Sequence, residues 1–565
     1  MSDLRYISSF LSALVVIPGK ALDLRVGHGR PTTWQGLLRV QWLRVGPGLI
    51  LAAFGLIPGL IGGAALAADE RSMLDRFQYN GDILYRGYYL WRDLPMANNP
   101  TTSGQARREQ SWADYQLCQA FPSQCSSISQ TPNKESEDYS TIRFRLNMAF
   151  RPSPYADILY AIEVGHLTFG RESSTSGPGS GGRGSGRVNI ETRELLLNLH
   201  NQSRVLNGDL GVFNFSTPSG IVIASSGAGG RIRYDWQSLR STIEAIYVHA
   251  VDQSHIDGDS NGFSDTNFAD NKLGLLEWKF STPRYLKGSV YGVASADDDP
   301  AKSDPVESSQ ELSRMYWGGL FVTGKWQSLS LMLHGIGNWG SFSRPLASDP
   351  VVAKILADPN DPMNGFFSTA VKAPARKKYH LNAGAFQSAL RIQLSDFVYV
   401  EFLAAAASGR IPGDTELDGS SIDFRSDQFR TAGSSFSYME IALDDSGGYS
   451  IFAGGQLTGV IARGLQLNWQ LNPELALELA WFDLNAVQTP VIHTNSKYML
   501  FTDTNEISND LGTEWNARLS WKVFQDFRIN ARLGWFNADK GYKALNDVAY
   551  GDDIYEFALY LKQTF

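Results

Sequence analysis

The sequence predicts an all-β fold: a transmembrane up-and-down antiparallel barrel of about 18 strands, with short periplasmic turns and long extracellular loops. Three observations predict it. Extended runs alternate apolar and polar residues with period two. Short polar turns and long polar loops alternate strictly between those runs, as a barrel with one exposed rim requires and a soluble sandwich does not. The chain is also strand-like to its last residue, Phe565, where most termini fray.

In chain order, the first element is a leader. Residues 45–67, VGPGLILAAFGLIPGLIGGAALA, follow Arg39 and Arg44 and end on Ala65-Leu66-Ala67, so residues 1–67 read as a leader closing in a cleavable signal peptide. A membrane anchor is the rival reading, which Pro47 and Pro58 weaken. The barrel is then assigned to residues 68–565, with its first strand within about ten residues of the cleavage site and no plug domain before it. The leader is basic, which leaves the remainder more acidic than the whole chain's net charge of −8 and argues against nucleic acid as a partner. Cys118 and Cys125 stand in a polar stretch and are expected to form a small loop disulfide in an exported protein.

The run DYSTIRFRLNMAF shows the repeated pattern. Ile142, Phe144, Leu146, Met148 and Phe150 share one face, and Thr141, Arg143, Arg145 and Asn147 the other. After Arg-Pro-Ser-Pro, YADILYAIEVGHL sets Ile158, Tyr160, Ile162 and Val164 against Asp157 and Glu163. The unit recurs as GGRIRYDW with LRSTIEAIYVHA, as KLGLLEWKFS with YLKGSVYGVAS, and as MYWGGLFVTGK with QSLSLMLHGIG. Further copies are LNAGAFQSALRIQLS with DFVYVEFLAAA and TEWNARLSWKVF with QDFRINARLGWF, before the closing YEFALYLKQTF. Nine long loops separate the hairpins, at about 93–137, 168–188, 216–228, 252–269, 297–313, 339–378, 409–455, 486–510 and 539–552. Trp236, Trp326 and Trp469 sit beside short turns and Trp91 and Trp339 beside long loops, where amphipathic rings meet head groups.

Parity places Arg143, Arg145, Arg231, Arg233, Arg391, Arg518, Arg528 and Arg532 on the inward face, with Lys279 and Lys522. Asp157, Glu163, Asp235, Glu244, Glu277, Glu401, Glu478 and Glu514 share that face. Two readings stand. The charges form salt-bridged ladders that stiffen the wall, or an arginine excess at a constriction attracts anions. Eighteen strands enclose a lumen wide enough for water unless loops close it. The loop 173–186 is rich in Gly and Ser, and the loop 216–230 carries an apolar Ile-Val-Ile that can fold into the lumen.

The loop 252–270 sets Asp257, Asp259, Asn261, Gly262 and Asp265 at the first, third, fifth, sixth and ninth places of a calcium loop. Phe268 stands where the bidentate Glu belongs, and an ordinary acidic surface loop is the alternative reading. No other cofactor is expected. The scattered histidines form no pairing with Ser or Asp that indicates catalysis, so no enzyme is predicted.

The C-terminal third, PELALELAWFDLNA, then DLGTEWNARLSWKVFQDFRINARLGWFNADKGY and the final YEFALYLKQTF, resembles the alginate export family of outer-membrane barrels. The ending is also similar to the C-terminal signal that the bacterial barrel-insertion machinery reads, with Gln563 departing from the usual aromatic. The family resemblance implies an eighteen-stranded monomer in a Gram-negative outer membrane that passes an anionic polysaccharide through an arginine-lined constriction, to which Arg518, Arg528 and Arg532 correspond. The expectation is therefore passive conduction of a hydrophilic anionic solute or exopolysaccharide, with outer-membrane lipid as surroundings. A general small-solute porin and a blocked barrel serving as an adhesin are the alternatives.

Overall fold

The computed structural model describes residues 76–92, 135–169, 190–251, 270–282, 285–298, 312–345, 376–409, 425–426, 429–432, 439–443, 457–488, 508–542 and 553–565. Residues 1–67, expected to be a leader, the Cys118–Cys125 pair, the Gly-rich loop 173–186 and the calcium-like loop with Asp257, Asp259, Asn261 and Asp265 lie outside them.

The strands are β1 (Phe77–Arg92), β2 (Glu135–Ser153), β3 (Ala156–Phe169), β4 (Ile190–His200), β5 (Leu206–Ser216), β6 (Ala224–Trp236), β7 (Ser241–Val251), β8 (Asp270–Ser281), β9 (Leu286–Asp298) and β10 (Leu312–Trp326). They continue as β11 (Leu329–Pro345), β12 (Arg376–Gln393), β13 (Val398–Ala407), β14 (Arg425–Ser426), β15 (Val460–Asn472), β16 (Leu475–Ala486), β17 (Asp510–Lys522), β18 (Phe527–Ala538) and β19 (Asp553–Thr564). Consecutive strands pair antiparallel. The two-residue β14 belongs to a long connection and pairs in parallel with β12, while β13 pairs directly with β15, so eighteen strands form the wall. β1 pairs with β19 from Asp82↔Thr564 to Arg92↔Ile554, which closes the ring. Closure leaves no open edge, the condition for a sheet in hydrocarbon, where each unpaired backbone group costs several kcal/mol.

Connections of two to five residues alternate with connections of seven or more. Local chemistry makes the short ones. Asn472 Oδ1 accepts the backbone N–H of Glu474 and Leu475 at 2.9 and 2.8 Å, an Asx turn between β15 and β16. The long connections are tighter than the sequence implied at two places, because β6 already starts at Ala224 and β11 runs on to Pro345.

The terminal aromatic seals the seam. Gly81 and Phe565 exchange backbone N–H···O bonds of 3.1 Å, and the Phe565 ring stacks on Phe144 with centroids 5.9 Å apart. A Cβ on Gly81 would meet that ring at 2.4 Å, so the first strand must be bare there.

One parity of each strand exposes large apolar groups, among them Trp236, Trp278, Trp326, Trp339, Trp469, Trp515, Trp521 and Trp535. Register aligns Trp481, Trp515, Trp535, Tyr555 and Trp91 across five adjacent strands, with Trp535 and Tyr555 stacked at 6.0 Å. Such a row is the aromatic girdle of a lipid-facing wall.

The opposite parity is inward and changes character along the strand. Toward the short turns it is charged: Glu244 on β7, Glu277 and Lys279 on β8, Glu401 on β13, and Arg528 on β18. Toward the long loops it is apolar and buried, as with Val248, Leu273, Trp317, Phe482, Leu484 and Phe536. The expectation of an inward face bathed in water thus holds for the short-turn half alone. The long-loop half packs against chain that turns inward.

Candidate functional site

Among the described residues, two connections supply most of that inward chain. The first, 217–223, links β5 to β6 and buries Ile221, Val222 and Ile223 almost completely. The apolar tripeptide leaves water by joining the inner wall, worth about 1.5–3 kcal/mol per side chain. Its 3-10 turn, Pro218–Gly220, bends through Ser219, whose φ of 58° is in the left-handed region. Ser219 Oγ meets His334 Nδ1 at 3.0 Å, and His334 Nε2 meets the Tyr291 hydroxyl at 2.8 Å, so the tip is fastened to a buried histidine of β11.

The second comes from the long connection between β13 and β15. Its described parts, 429–432 and 439–443, bury Phe429, Met439, Ile441, Ala442 and Leu443. Trp317 Nε1 donates to the Arg430 carbonyl at 2.7 Å, Arg430 N–H donates to Asn338 Oδ1 at 3.1 Å, and the Arg430 guanidinium covers the Phe342 ring. The two insertions also touch, since Ala432 N–H donates to the Val222 carbonyl at 2.8 Å.

Glu440 joins this insertion to the predicted arginines. Its carboxylate accepts from Arg518 and, at 3.2 Å, from Arg532. Glu514, fully buried on β17, accepts the backbone N–H of Glu440, Ile441 and Ala442 at 2.9, 2.9 and 2.8 Å. Three donors aimed at one carboxylate form a rigid cradle for a segment with no sheet to join. Gly534 on β18 gives the room, because a Cβ there would stand 2.8 Å from Ile441.

The remaining predicted arginines line the same wall. Arg143 pairs with Asp82 at 3.1 Å, and Arg145 with Glu163 at 2.6 Å. Arg193, which parity did not mark, also reaches Glu163 at 2.6 Å. Arg231 pairs with Asp209, Arg233 lies 3.6 Å from Asp235, and Arg391 pairs with Glu401 at 3.1 Å while covering the Tyr399 ring. Arg528 makes no ion pair with a described residue; register sets it between Lys522 and Lys562, three cations in one row at the short-turn mouth. Lys562 reaches Asp82 at 3.6 Å. Arg532 and Arg86 both approach the Tyr560 ring, at 4.6 and 5.8 Å. The ladder and the arginine excess therefore coexist: β5–β9 balance Arg231 and Lys279 with Asp209, Glu244 and Glu277, whereas β17–β19, β1 and β2 gather Arg518, Arg528, Arg532, Lys522, Lys562 and Arg86.

Below the first insertion a cavity of about 650 Å³ opens among Thr217, Ser219, Glu277, Lys279, Lys287 and Thr323. Its lining mixes these hydroxyls and charges with Phe280 and Phe321. Glu440, Asp209, Lys562 and His334 were missed from sequence. A signal for Glu440 existed in the apolar stretch Met439 to Leu443 inside an otherwise polar loop.

A closed antiparallel barrel with an apolar exterior, a charged lower lumen and two inserted segments defines a membrane-barrel architecture. No protein-family model matches the chain, and no curated protein matches it. Solved structures similar to it include OccK11 (OpdR) of Pseudomonas aeruginosa, with TM-score 0.42 and 11% identity over 86% of this chain and 96% of that one. OccAB1 of Acinetobacter baumannii gives TM-score 0.46 and 10% identity over 89% and 99%. OpdK of Pseudomonas aeruginosa, solved with vanillate, gives 0.43 and 9% over 86% and 98%. These neighbours are outer-membrane β-barrel porins.

Proposed function

We propose that the protein is a passive channel of a Gram-negative outer membrane for hydrophilic anionic solutes, with a carboxylated exopolysaccharide of the alginate type as the particular cargo. The observation that carries the reading is the cationic sector of β17–β19, β1 and β2, where Arg518 and Arg532 already hold a carboxylate, that of Glu440. A solute carboxylate presents the same charge and shape to guanidinium groups. Lys522, Arg528 and Lys562 draw anions to the short-turn mouth, the periplasmic one in such barrels. The two insertions act as the closure that solute passage must move.

The buried apolar seal formed by Ile221, Val222, Ile223 and Ile441 favours a second reading, the blocked barrel that binds or adheres. Proteoliposome swelling separates the alternatives. Uronate oligomers entering faster than neutral sugars of equal size, with the difference abolished in Arg518→Glu/Arg532→Glu, is the expected result. Equal entry of both would make the protein a general small-solute porin, and no entry of either would leave the blocked barrel.

A further inference from the structure

The cavity beneath the first insertion holds charge that the ion pairs of the wall do not use. On its lining, Lys279 of β8 is engaged by Glu244 at 2.7 Å and by Glu277 at 3.3 Å. Arg240, in the turn between β6 and β7, and Lys287, on β9, line the same cavity with exposed side chains that make no ion pair or hydrogen bond with a described residue. Three cations thus stand against two carboxylates, and the two cations left over are the solvated ones. Glu244 also lies 3.7 Å from Arg231, but Arg231 brings Asp209 with it, so the surplus is unchanged. The Arg240 turn is fixed in place, since its carbonyl accepts the backbone N–H of Ser281 at 3.1 Å and its own N–H donates to the Gln237 carbonyl at 3.2 Å.

Ser219 adds a directed donor. Among the described residues the hydroxyl of Tyr291, a side chain 3% exposed, meets His334 Nε2 alone. A buried phenol left without an acceptor is costly, so its O–H donates to Nε2. In a neutral imidazole the other nitrogen then carries the proton, and Nδ1–H donates to Ser219 Oγ. The Ser219 O–H is left to point away from His334. Ser219 is exposed and lines the cavity, so that proton is offered to whatever occupies it.

Phe321 gives the cavity one apolar side. The residue is half-buried with the inward parity of Trp317, and its ring meets His334 edge-on with centroids 5.4 Å apart. Lys287 stands opposite Thr323, one inward position along β10 from Phe321. Such a diagonal spans about 7–8 Å between backbones, which leaves space for a single sugar ring between the ammonium and the phenyl ring.

We propose that this cavity is a binding subsite for an anionic sugar, a hydroxylated ring bearing one acidic group, carboxylate or phosphate. Lys287 and Arg240 hold the acidic group, the C–H face of the ring covers Phe321, and the hydroxyls meet the Ser219 O–H and the lone pairs that Lys279 leaves on Glu277. A simple anion would use the two cations only, and a neutral sugar only the remainder. In strand order β9 stands across the ring from β19, so the subsite is separate from the arginine sector around Arg518 and Arg532. The subsite rests on the channel reading above, as a second station for the same class of cargo.

Acetylation of Lys287 by an N-hydroxysuccinimide ester, followed by peptide mass spectrometry on the full-length protein folded in detergent, reads occupancy directly. Glucuronate and glucose 6-phosphate slow the reaction saturably, and whichever acts at lower concentration identifies the acidic group. Glucose and inorganic phosphate need at least roughly tenfold more for the same effect. Arg240→Gln raises the half-protecting concentration of the acidic sugars about tenfold, whereas Arg518→Glu/Arg532→Glu leaves it unchanged. Heat-dependent gel mobility verifies folding, and the comparison of the four solutes on wild type needs no variant. Protection without uronate conduction would remove the channel reading alone, and conduction without protection this subsite alone. Absence of protection by both acidic sugars, equal protection by glucose or by inorganic phosphate, or a half-protecting concentration unmoved by Arg240→Gln would overturn the proposal.

Discussion

Glu514→Gln isolates what holds the second insertion in the lumen. The carboxylate accepts three backbone N–H groups, two at Oε1 from Glu440 and Ile441 and one at Oε2 from Ala442. The amide keeps one oxygen, so if it retains the pair its nitrogen faces the Ala442 N–H, donor against donor. One lost charge-assisted bond with a buried donor left unpaired costs about 2–3 kcal/mol. That is a shift of about 30- to 150-fold in the docked–undocked equilibrium of residues 439–443. Single-channel recording in a planar bilayer reads the shift as longer open dwell times at unchanged barrel stability. A variant that folds, shown by heat-dependent gel mobility, yet keeps wild-type dwell times would refute the idea that this segment is the closure.

Other predictions follow from equally local geometry. Gly81→Val puts a branched side chain where a Cβ alone meets the Phe565 ring and the Arg145 carbonyl at 2.4 Å, so the β1–β19 seam fails and the heat-modifiable gel band disappears; an intact band would show that the seam tolerates repacking. Ser219→Ala removes the bond to His334 and loosens the tip of the first insertion by about 1 kcal/mol, seen as more frequent brief openings, with an unaltered record counting against it. Glu163→Gln removes the buried negative charge that Arg145 and Arg193 share, Arg193 keeping Glu191 at 3.0 Å, and lowers barrel stability by about 2 kcal/mol, which an unmoved urea midpoint would contradict.

Period-two patterning made the wall readable, because each strand has one side in lipid and the other against the lumen. It placed Arg143, Glu163, Arg518 and Glu514 on the inner face before any strand was paired. Parity alone does not tell how far along a strand polarity persists. KLGLLEWKFS already carried the answer, since its inward set runs Leu273, Leu275, Glu277, Lys279 and passes from apolar to charged within one strand. The Ile-Val-Ile insertion was legible for the same reason, an apolar run with nowhere to go but inward. The apolar run Met439 to Leu443 signalled the second insertion in the same way, but the partners of Glu440 were not legible, because they are brought to it by a fold of the loop that follows no period. Cross-strand rows were hidden as well: they exist only once register is fixed across several strands, and bulges such as those at Ile142/Arg143 and Ala161/Ile162 shift neighbouring registers without changing either strand's own pattern.

Reversal potential in a salt gradient across a planar bilayer addresses the arginine sector most directly. The wild-type protein is expected to prefer anions, and Arg518→Glu/Arg532→Glu to invert that preference. A cation-selective wild type, or a selectivity unmoved by the double substitution, would contradict it.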